Sequence, residues 1–184
     1  FEFNEICKRH AGERFDVAVD ARAEPEWSPI VAAVEAAAVP VLDAADGMRG
    51  ARACRAGFVP SLPGAPAQSA HRDGALVGVV NAFVPLVAVG GANGTELAPG
   101  SHAPREFAFA PLPWQDESEL APITPDLAPG ELLLFDYRTR HRGLANGTAS
   151  PRPVFYCVFA VEGADDTWNF PRDRPLLEDE RAFA

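Results

Sequence analysis

His71 and Asp73 stand two positions apart in Ser69-Ala70-His71-Arg72-Asp73-Gly74. On an extended chain, residues i and i+2 project from the same face. A neutral imidazole and a carboxylate on one face make two ligands for a borderline divalent metal. A second histidine from elsewhere would complete a two-histidine, one-carboxylate set, which leaves three metal positions open for a bidentate ligand and O2. His-x-Asp alone is a weak motif, compatible with an ordinary surface turn. His141, in Asp136-Tyr137-Arg138-Thr139-Arg140-His141-Arg142-Gly143, is the candidate third ligand.

Asn146-Gly147 follows closely, and Asn-Gly is a strong hairpin signal. With these two as the turn residues, Ala145 and Thr148 form the first hydrogen-bonded pair and His141 falls opposite Arg152 on the same face. Pro151 and Pro153 then oppose Arg142 and Arg140 at non-bonded positions, where their missing N–H groups cost the ladder nothing. A longer loop over 146–150 would shift this register. Arg152 is the residue type needed to grip the carboxylate tail of an acid whose other end sits on the metal, because its planar fork binds carboxylate bidentately.

These side chains need a scaffold. Ser28 reads as an N-cap and Pro29 as the first helical position of an alanine-rich helix over 30–38, which Pro40 ends or kinks. Residues 61–67 are loop chemistry. Residues 76–89, 132–137 and 154–161 are rich in Val, Phe and Leu and read as strands. Pro85 marks a bulge, break or edge in the first of them. Turns are expected at 90–94, 99–101 and Pro129-Gly130. Short strands between Gly/Pro/Asn turns, with one helix near the start, predict a mainly β, helix-flanked sandwich or barrel.

The chain has 184 residues, 47% of them hydrophobic, enough for one core. A single domain is expected over 1–184, with its core at 52–162 and a peripheral tail at 163–184. A net charge of −10 repels phosphate backbones and anionic lipid heads, so neither nucleic acid nor a membrane is an expected partner. It does not exclude a small anion, because a buried arginine dominates a distant surface field. Cys7, Cys54 and Cys157 include no Cys-x-x-Cys pair and read as reduced thiols. That implies a reducing compartment, the cytoplasm or an organelle lumen. The most apolar run, 30–42, is shorter than a bilayer span and contains Glu35 and Pro40. The sequence opens at Phe1 without Met, so a leader or further N-terminal segment is expected before it.

The order of these motifs resembles the phytanoyl-CoA dioxygenase-like family. The resemblance rests on His71-x-Asp73, Asn81-Ala82-Phe83-Val84-Pro85-Leu86, Asn93-Gly94-Thr95-Glu96-Leu97-Ala98-Pro99-Gly100-Ser101-His102, the stretch from Pro129 to Gly143, and Arg152-Pro153. It covers residues 57–160. The resemblance implies a double-stranded β-helix (jelly-roll, cupin-like) core, Fe(II) held by His71, Asp73 and His141, and 2-oxoglutarate held by Arg152. It also implies decarboxylation to succinate and CO2, with oxidation by O2 of a small or lipid-like organic substrate. Related halogenases lack the carboxylate ligand, so Asp73 favours hydroxylation. Only seven residues separate Asp73 from Asn81, which is short for the family.

Asn81 and Phe83 alternate on one strand, and Asn81 is the better candidate for a polar contact with the co-substrate; a buried, satisfied asparagine is the plainer reading. Thr95 reaches the pocket mouth or serves its turn. His102 is a turn residue rather than a ligand. Tyr137 lies near His141 or packs the core. His10 is solvated, Trp114 and Trp168 cover the sheet, and residues 116–119 form a solvated acidic face. Two other functions fit the residues less well: a metal-dependent cupin enzyme that does not use 2-oxoglutarate, and a non-catalytic jelly-roll binding module.

Overall fold

The computed structural model describes residues 13–19, 25–102, 120–164 and 166. Strand β1 (Val17–Val19) comes first. A 3-10 turn (Pro25–Trp27) then leads into helix α1 (Ser28–Ala44). The remaining strands are β2 (Arg52–Ser61), β3 (Val79–Pro85), β4 (Thr95–Leu97), β5 (Leu133–Asp136), β6 (His141–Gly143) and β7 (Arg152–Ala160). They form a five-stranded sheet in the order β1-β2-β7-β3-β5 and a two-stranded sheet, β4-β6, all pairs antiparallel. Bridges from His71 to His141 and from Leu97 to Ile123 widen the smaller sheet on both sides. The architecture is a jelly roll, with its site between the sheets.

Period-two alternation divides the large sheet into two faces with different tasks. Val80, Ala82, Phe155, Cys157 and Phe159 point outward and form one core with Val31, Val34, Ala38 and Leu42 of α1. Val79, Asn81, Phe83, Arg152, Val154, Tyr156 and Val158 lie on the opposite, cavity side. A one-residue slip would exchange these sets, so the apolar pattern specifies the register. Burial pushes the Cys157 thiol up to about 12, with Glu35 adding to the effect, so it packs as a small hydrophobe.

The helix differs from its sequence reading. Trp27, not Ser28, is the N-cap and makes no side-chain cap bond; Ser28 and Pro29 are the first helical residues. Pro40 neither ends nor breaks the helix, which runs on to Ala44. Pro40 is exposed, so water can take the carbonyl that a missing N–H leaves free. Continuing one further turn buries Leu42 to 3% exposure. With the 3-10 turn included, the helical run Pro25–Ala44 is long and apolar enough to cross a membrane by length and composition, with mean hydropathy 1.3. Of this run 22% is buried, and that stripe packs on the sheet.

The expected hairpin at Asn146-Gly147 is not formed. A two-residue type I′ turn needs positive φ at both positions, and neither residue has it. Strand β6 pairs with β4, placing His141 opposite Leu97, whereas Arg152 opposes Ser61 on β2. The intervening 144–151 segment crosses from one sheet to the other. Asn146 is fully buried there as a polar plug. Its Nδ2 donates to the carbonyls of Ser61 and Ser150, both at 2.9 Å, and its Oδ1 accepts from the Thr148 hydroxyl at 2.7 Å. Pro153 faces Pro60 on β2, a pair with no N–H to waste. Pro85 ends β3, the break expected of it.

The sequence reading passed over β1 and β2. Strand β2 is poor in β-branched residues and carries a register shift between Ala53 and Arg55, which hides its alternation. Gly57 on β2 lets the Tyr156 ring cross: a Cβ there would meet the Val17 carbonyl oxygen at 2.6 Å and the Tyr156 hydroxyl at 2.7 Å.

Gly57→Ala is therefore expected to destabilise the protein by about 1–3 kcal/mol through overpacking. Asn146→Ala should cost about 2 kcal/mol or more, because it leaves buried backbone carbonyls unsatisfied. Denaturant midpoints at constant slope check both.

Candidate active site

His71, Asp73 and His141 converge with all their ligand atoms within 4.8 Å of one another. His141 opens β6, and His71 lies beside it through the reciprocal backbone bonds His71 N to His141 O (2.9 Å) and His141 N to His71 O (2.8 Å). His71 sits in an isolated bridge and Asp73 in a bend, rather than in the strand expected. The two-residue spacing still turns both side chains the same way.

The ring orientations have a clear cause. Nδ1 of His71 bonds to the Ser69 carbonyl at 2.8 Å, and Nδ1 of His141 to the Thr139 carbonyl at 2.9 Å. A carbonyl only accepts, so each Nδ1 carries a proton, and on a neutral ring Nε2 then keeps its lone pair. Nε2 of His71 lies 3.6 Å from Asp73 Oδ1, and Nε2 of His141 lies 3.7 Å from Oδ2. These separations exceed a hydrogen bond but suit donors that share one ion with bonds near 2.1 Å. The His141 ring is packed by Phe135, His71 and Phe83 at centroid distances of 4.8, 4.6 and 6.4 Å.

Asn81, on the inward face of β3, donates from Nδ2 to Asp73 Oδ2 at 2.6 Å. Burial alone would raise the Asp73 carboxyl; the two imidazoles and this amide outweigh it, and the group sits below its ordinary 3.8. Asp73 is thus a ready anionic ligand at neutral pH. The donor set fits a divalent transition metal: two neutral imidazole nitrogens and one carboxylate, each held by an outer hydrogen bond.

The triad lines a cavity, partly open to solvent, together with Asn81, Phe83, Thr95, Tyr137 and Arg152. Arg152 starts β7 and is buried to 3% exposure. Its Nη2 donates to Ser61 Oγ at 2.8 Å, and its Nη1 to the carbonyls of Asn93 and, at 3.2 Å, Gly94. Burial first, and then the field of Arg14, lower its pKa to about 10, so it remains cationic at neutral pH. Thr95 lines the cavity opposite Gly143. His102 is exposed in a turn outside the ligand cluster. Tyr137 is buried in the inner core, its hydroxyl donating to Asp166. His10, Trp114, Trp168, Cys7 and residues 116–119 lie outside the described residues.

Sequence reasoning missed part of the lining: Arg14, Asp16, Gln68 and Tyr156. Arg14 and Asp16 alternate with Phe15 and Val17, a strand pattern with its polar face inward, and that was the available signal. The Tyr156 hydroxyl donates to Asp16 Oδ1 at 2.9 Å, over Gly57. Gln68 accepts from the Gly143 N–H through Oε1.

A jelly roll carrying a two-histidine, one-aspartate cluster beside a buried arginine defines a class of metal-dependent proteins. The family model of phytanoyl-CoA dioxygenase (PhyH) matches residues 2–154, and the chain belongs to that family. Among solved structures it is similar to the epimerase SnoN in complex with Fe3+, alpha ketoglutarate and nogalamycin RO, at 18% identity and TM-score 0.69 over 90% of this chain and 79% of that one. It is also similar to the alpha ketoglutarate dependent carbocyclase SnoK from nogalamycin biosynthesis, at 20% identity and TM-score 0.68 over 94% and 76%. Against EvdMO1 the identity is 22% and the TM-score 0.51, over 60% of this chain and only 27% of that one. At these identities the likenesses establish the fold. Comparison with curated protein sequences gives no match.

Asn81→Ala should weaken Fe(II) affinity roughly ten- to a hundredfold by releasing Asp73. Competition against a metallochromic chelator measures it; unchanged affinity would remove Asn81 from this role.

Proposed function

We propose that the protein is an Fe(II)- and 2-oxoglutarate-dependent oxygenase acting on a small organic molecule. The observation that carries this reading is one cavity holding a facial ligand set and, within it, a buried cationic fork. His71, Asp73 and His141 would hold the metal, and Arg152 the far carboxylate of 2-oxoglutarate. Bound there, Fe(II) and 2-oxoglutarate would supply oxidation of an unactivated C–H bond by O2, with release of succinate and CO2.

The chain's own part is geometric and electrostatic. The carbonyls of Ser69 and Thr139 aim both imidazoles, and Asn81 aims the carboxylate. Phe83 and Phe135 pack against His141 and exclude water from it. Arg152 and the Ser61 hydroxyl receive the anionic tail, and with the metal they fix both ends of one molecule. Asn81 and Thr95 are the further candidates for co-substrate contact, although the Asn81 amide is already directed at Asp73.

Hydroxylation is the outcome we propose, because Asp73 occupies the ligand position that a halide would need. SnoN and SnoK, an epimerase and a carbocyclase, support the cofactor reading and show that a similar fold accompanies other outcomes. The proposal extends to one domain over 1–184, with α1 a core helix and neither membrane nor nucleic acid a partner. A reducing compartment, cytoplasm or organelle lumen, suits the free thiols of Cys54 and Cys157.

Incubation with Fe(II), O2 and labelled 2-oxoglutarate, read as succinate by mass spectrometry, tests the reading. Slow uncoupled turnover is expected, abolished in His141→Ala and requiring far more 2-oxoglutarate in Arg152→Ala. Iron-loaded protein that oxidises a substrate without consuming 2-oxoglutarate would instead establish the cupin-type reading.

A further inference from the structure

The carbonyl that orients His141 belongs to the peptide unit joining Thr139 to Arg140. That unit is planar, with its C=O and N–H directed oppositely, so holding one group aims the other. Nδ1 of His141 donates to the Thr139 carbonyl at 2.9 Å, and the Arg140 N–H donates to the Ser101 hydroxyl oxygen at 2.7 Å. One chain of bonds therefore runs from Ser101 through a single peptide plane to the imidazole.

Ser101 reaches that position by turn chemistry. His141 directs its own N–H and C=O to His71, so the alternation of antiparallel pairs turns the backbone groups of Arg140 toward β4. There Ala98 N donates to the Arg140 carbonyl at 2.9 Å. The Ala98 carbonyl, which a regular ladder would offer in return, closes a turn by accepting from Ser101 N at 3.2 Å. Pro99 and Gly100 are the central residues, and Gly100 has the positive φ, 85°, that a type II turn takes at its third position. The Ser101 side chain thus stands in for a ladder carbonyl opposite Arg140. Ser101 is buried, and it is not among the residues that line the cavity.

The same residue holds the segment of the other two ligands. Its carbonyl accepts from Nη2 of Arg72 at 2.9 Å, a charge-assisted bond. Arg72 is the residue between His71 and Asp73. The backbone bridge from His71 to His141 joins the two ligand segments once. Ser101 joins them a second time, with its hydroxyl on one and its carbonyl on the other.

We infer that Ser101 is a positioning residue, which fixes the direction and the donor strength of the His141 imidazole and ties the His71–Asp73 segment to it. This rests on the Fe(II) reading above. Hydrogen bonds in series polarise one another, so the Ser101 hydroxyl makes the Thr139 carbonyl a better acceptor and Nε2 of His141 a better metal ligand.

The test uses Co(II) alone as the probe, on the full chain. Three quantities are read: affinity by competition with a chelator, the visible ligand-field spectrum, and solvent exchange of the two Nδ1 protons by NMR of the Co(II) form. Ser101→Ala should bind Co(II) roughly tenfold more weakly, the low end for groups outside the ligand shell. Its spectrum should change, and the Nδ1 proton of His141 should exchange faster while that of His71 does not. Ser101→Thr keeps the hydroxyl and should restore wild-type values. Arg72→Met cuts the second tie; it should weaken Co(II) binding without speeding the His141 exchange, and it serves where Ser101→Ala does not fold. Leu42→Ala, in the core on the opposite face of the large sheet, should lower the unfolding midpoint alone. Wild-type affinity and exchange in folded Ser101→Ala would overturn the inference and leave the metal reading intact. So would equal losses in Ser101→Ala and Ser101→Thr, or an affinity that follows the unfolding midpoint through Leu42→Ala as well. Wild-type protein that does not bind Co(II) would overturn both.

Discussion

Two hydrogen bonds, from Nδ1 of His71 and Nδ1 of His141 to carbonyls two residues upstream, govern the site. Each settles a tautomer and a ring plane at once. The rest of the fold works to keep those carbonyls in place. The backbone bridge between His71 and His141 ties the two segments together, and β4 pairs with β6 from the other side. An isolated imidazole would sample several rotamers and both tautomers; these two aim Nε2 at one carboxylate before any ion arrives. That arrangement is preorganisation, and it puts the entropic cost of assembling the ligands into folding rather than into metal binding.

The large sheet separates two kinds of chemistry across one layer of backbone. Its outer face is apolar and is closed by α1, with Phe155 and Phe159 at its centre. Its inner face carries Asn81, Arg152 and Tyr156, groups that are costly to bury unless each has a partner. Those partners come from places that local sequence does not announce: Asp16 for Tyr156, and Ser61 with the Asn93 and Gly94 carbonyls for Arg152. Asn146, buried in the crossover between the sheets, serves the same need for the backbone of Ser61 and Ser150.

Much of this was readable from the residues. The ligand spacing, the strands around 79–85, 133–136 and 152–160, and the β class follow from alternation and from Gly/Pro punctuation. Arg152 was placed beside His141 by a mistaken route: the hairpin that set the two opposite each other does not exist, and both line the cavity from different sheets instead. Asn-Gly is a strong turn signal only when both residues can take positive φ, and tertiary bonds hold Asn146 elsewhere. Strand β2 escaped notice because its Arg, Ala, Cys and Gly have weak strand preference; its position is decided by pairing with β7. Arg14 and Asp16 escaped because they precede a three-residue strand far from the motifs, and their short alternation was not used.

Anaerobic addition of Fe(II) and 2-oxoglutarate to metal-free protein, followed by visible absorption, tests the central claim most directly. The account predicts a metal-to-ligand charge-transfer band that needs both components and disappears in His71→Ala. Folded protein that binds iron yet gives no band at saturating 2-oxoglutarate would contradict it.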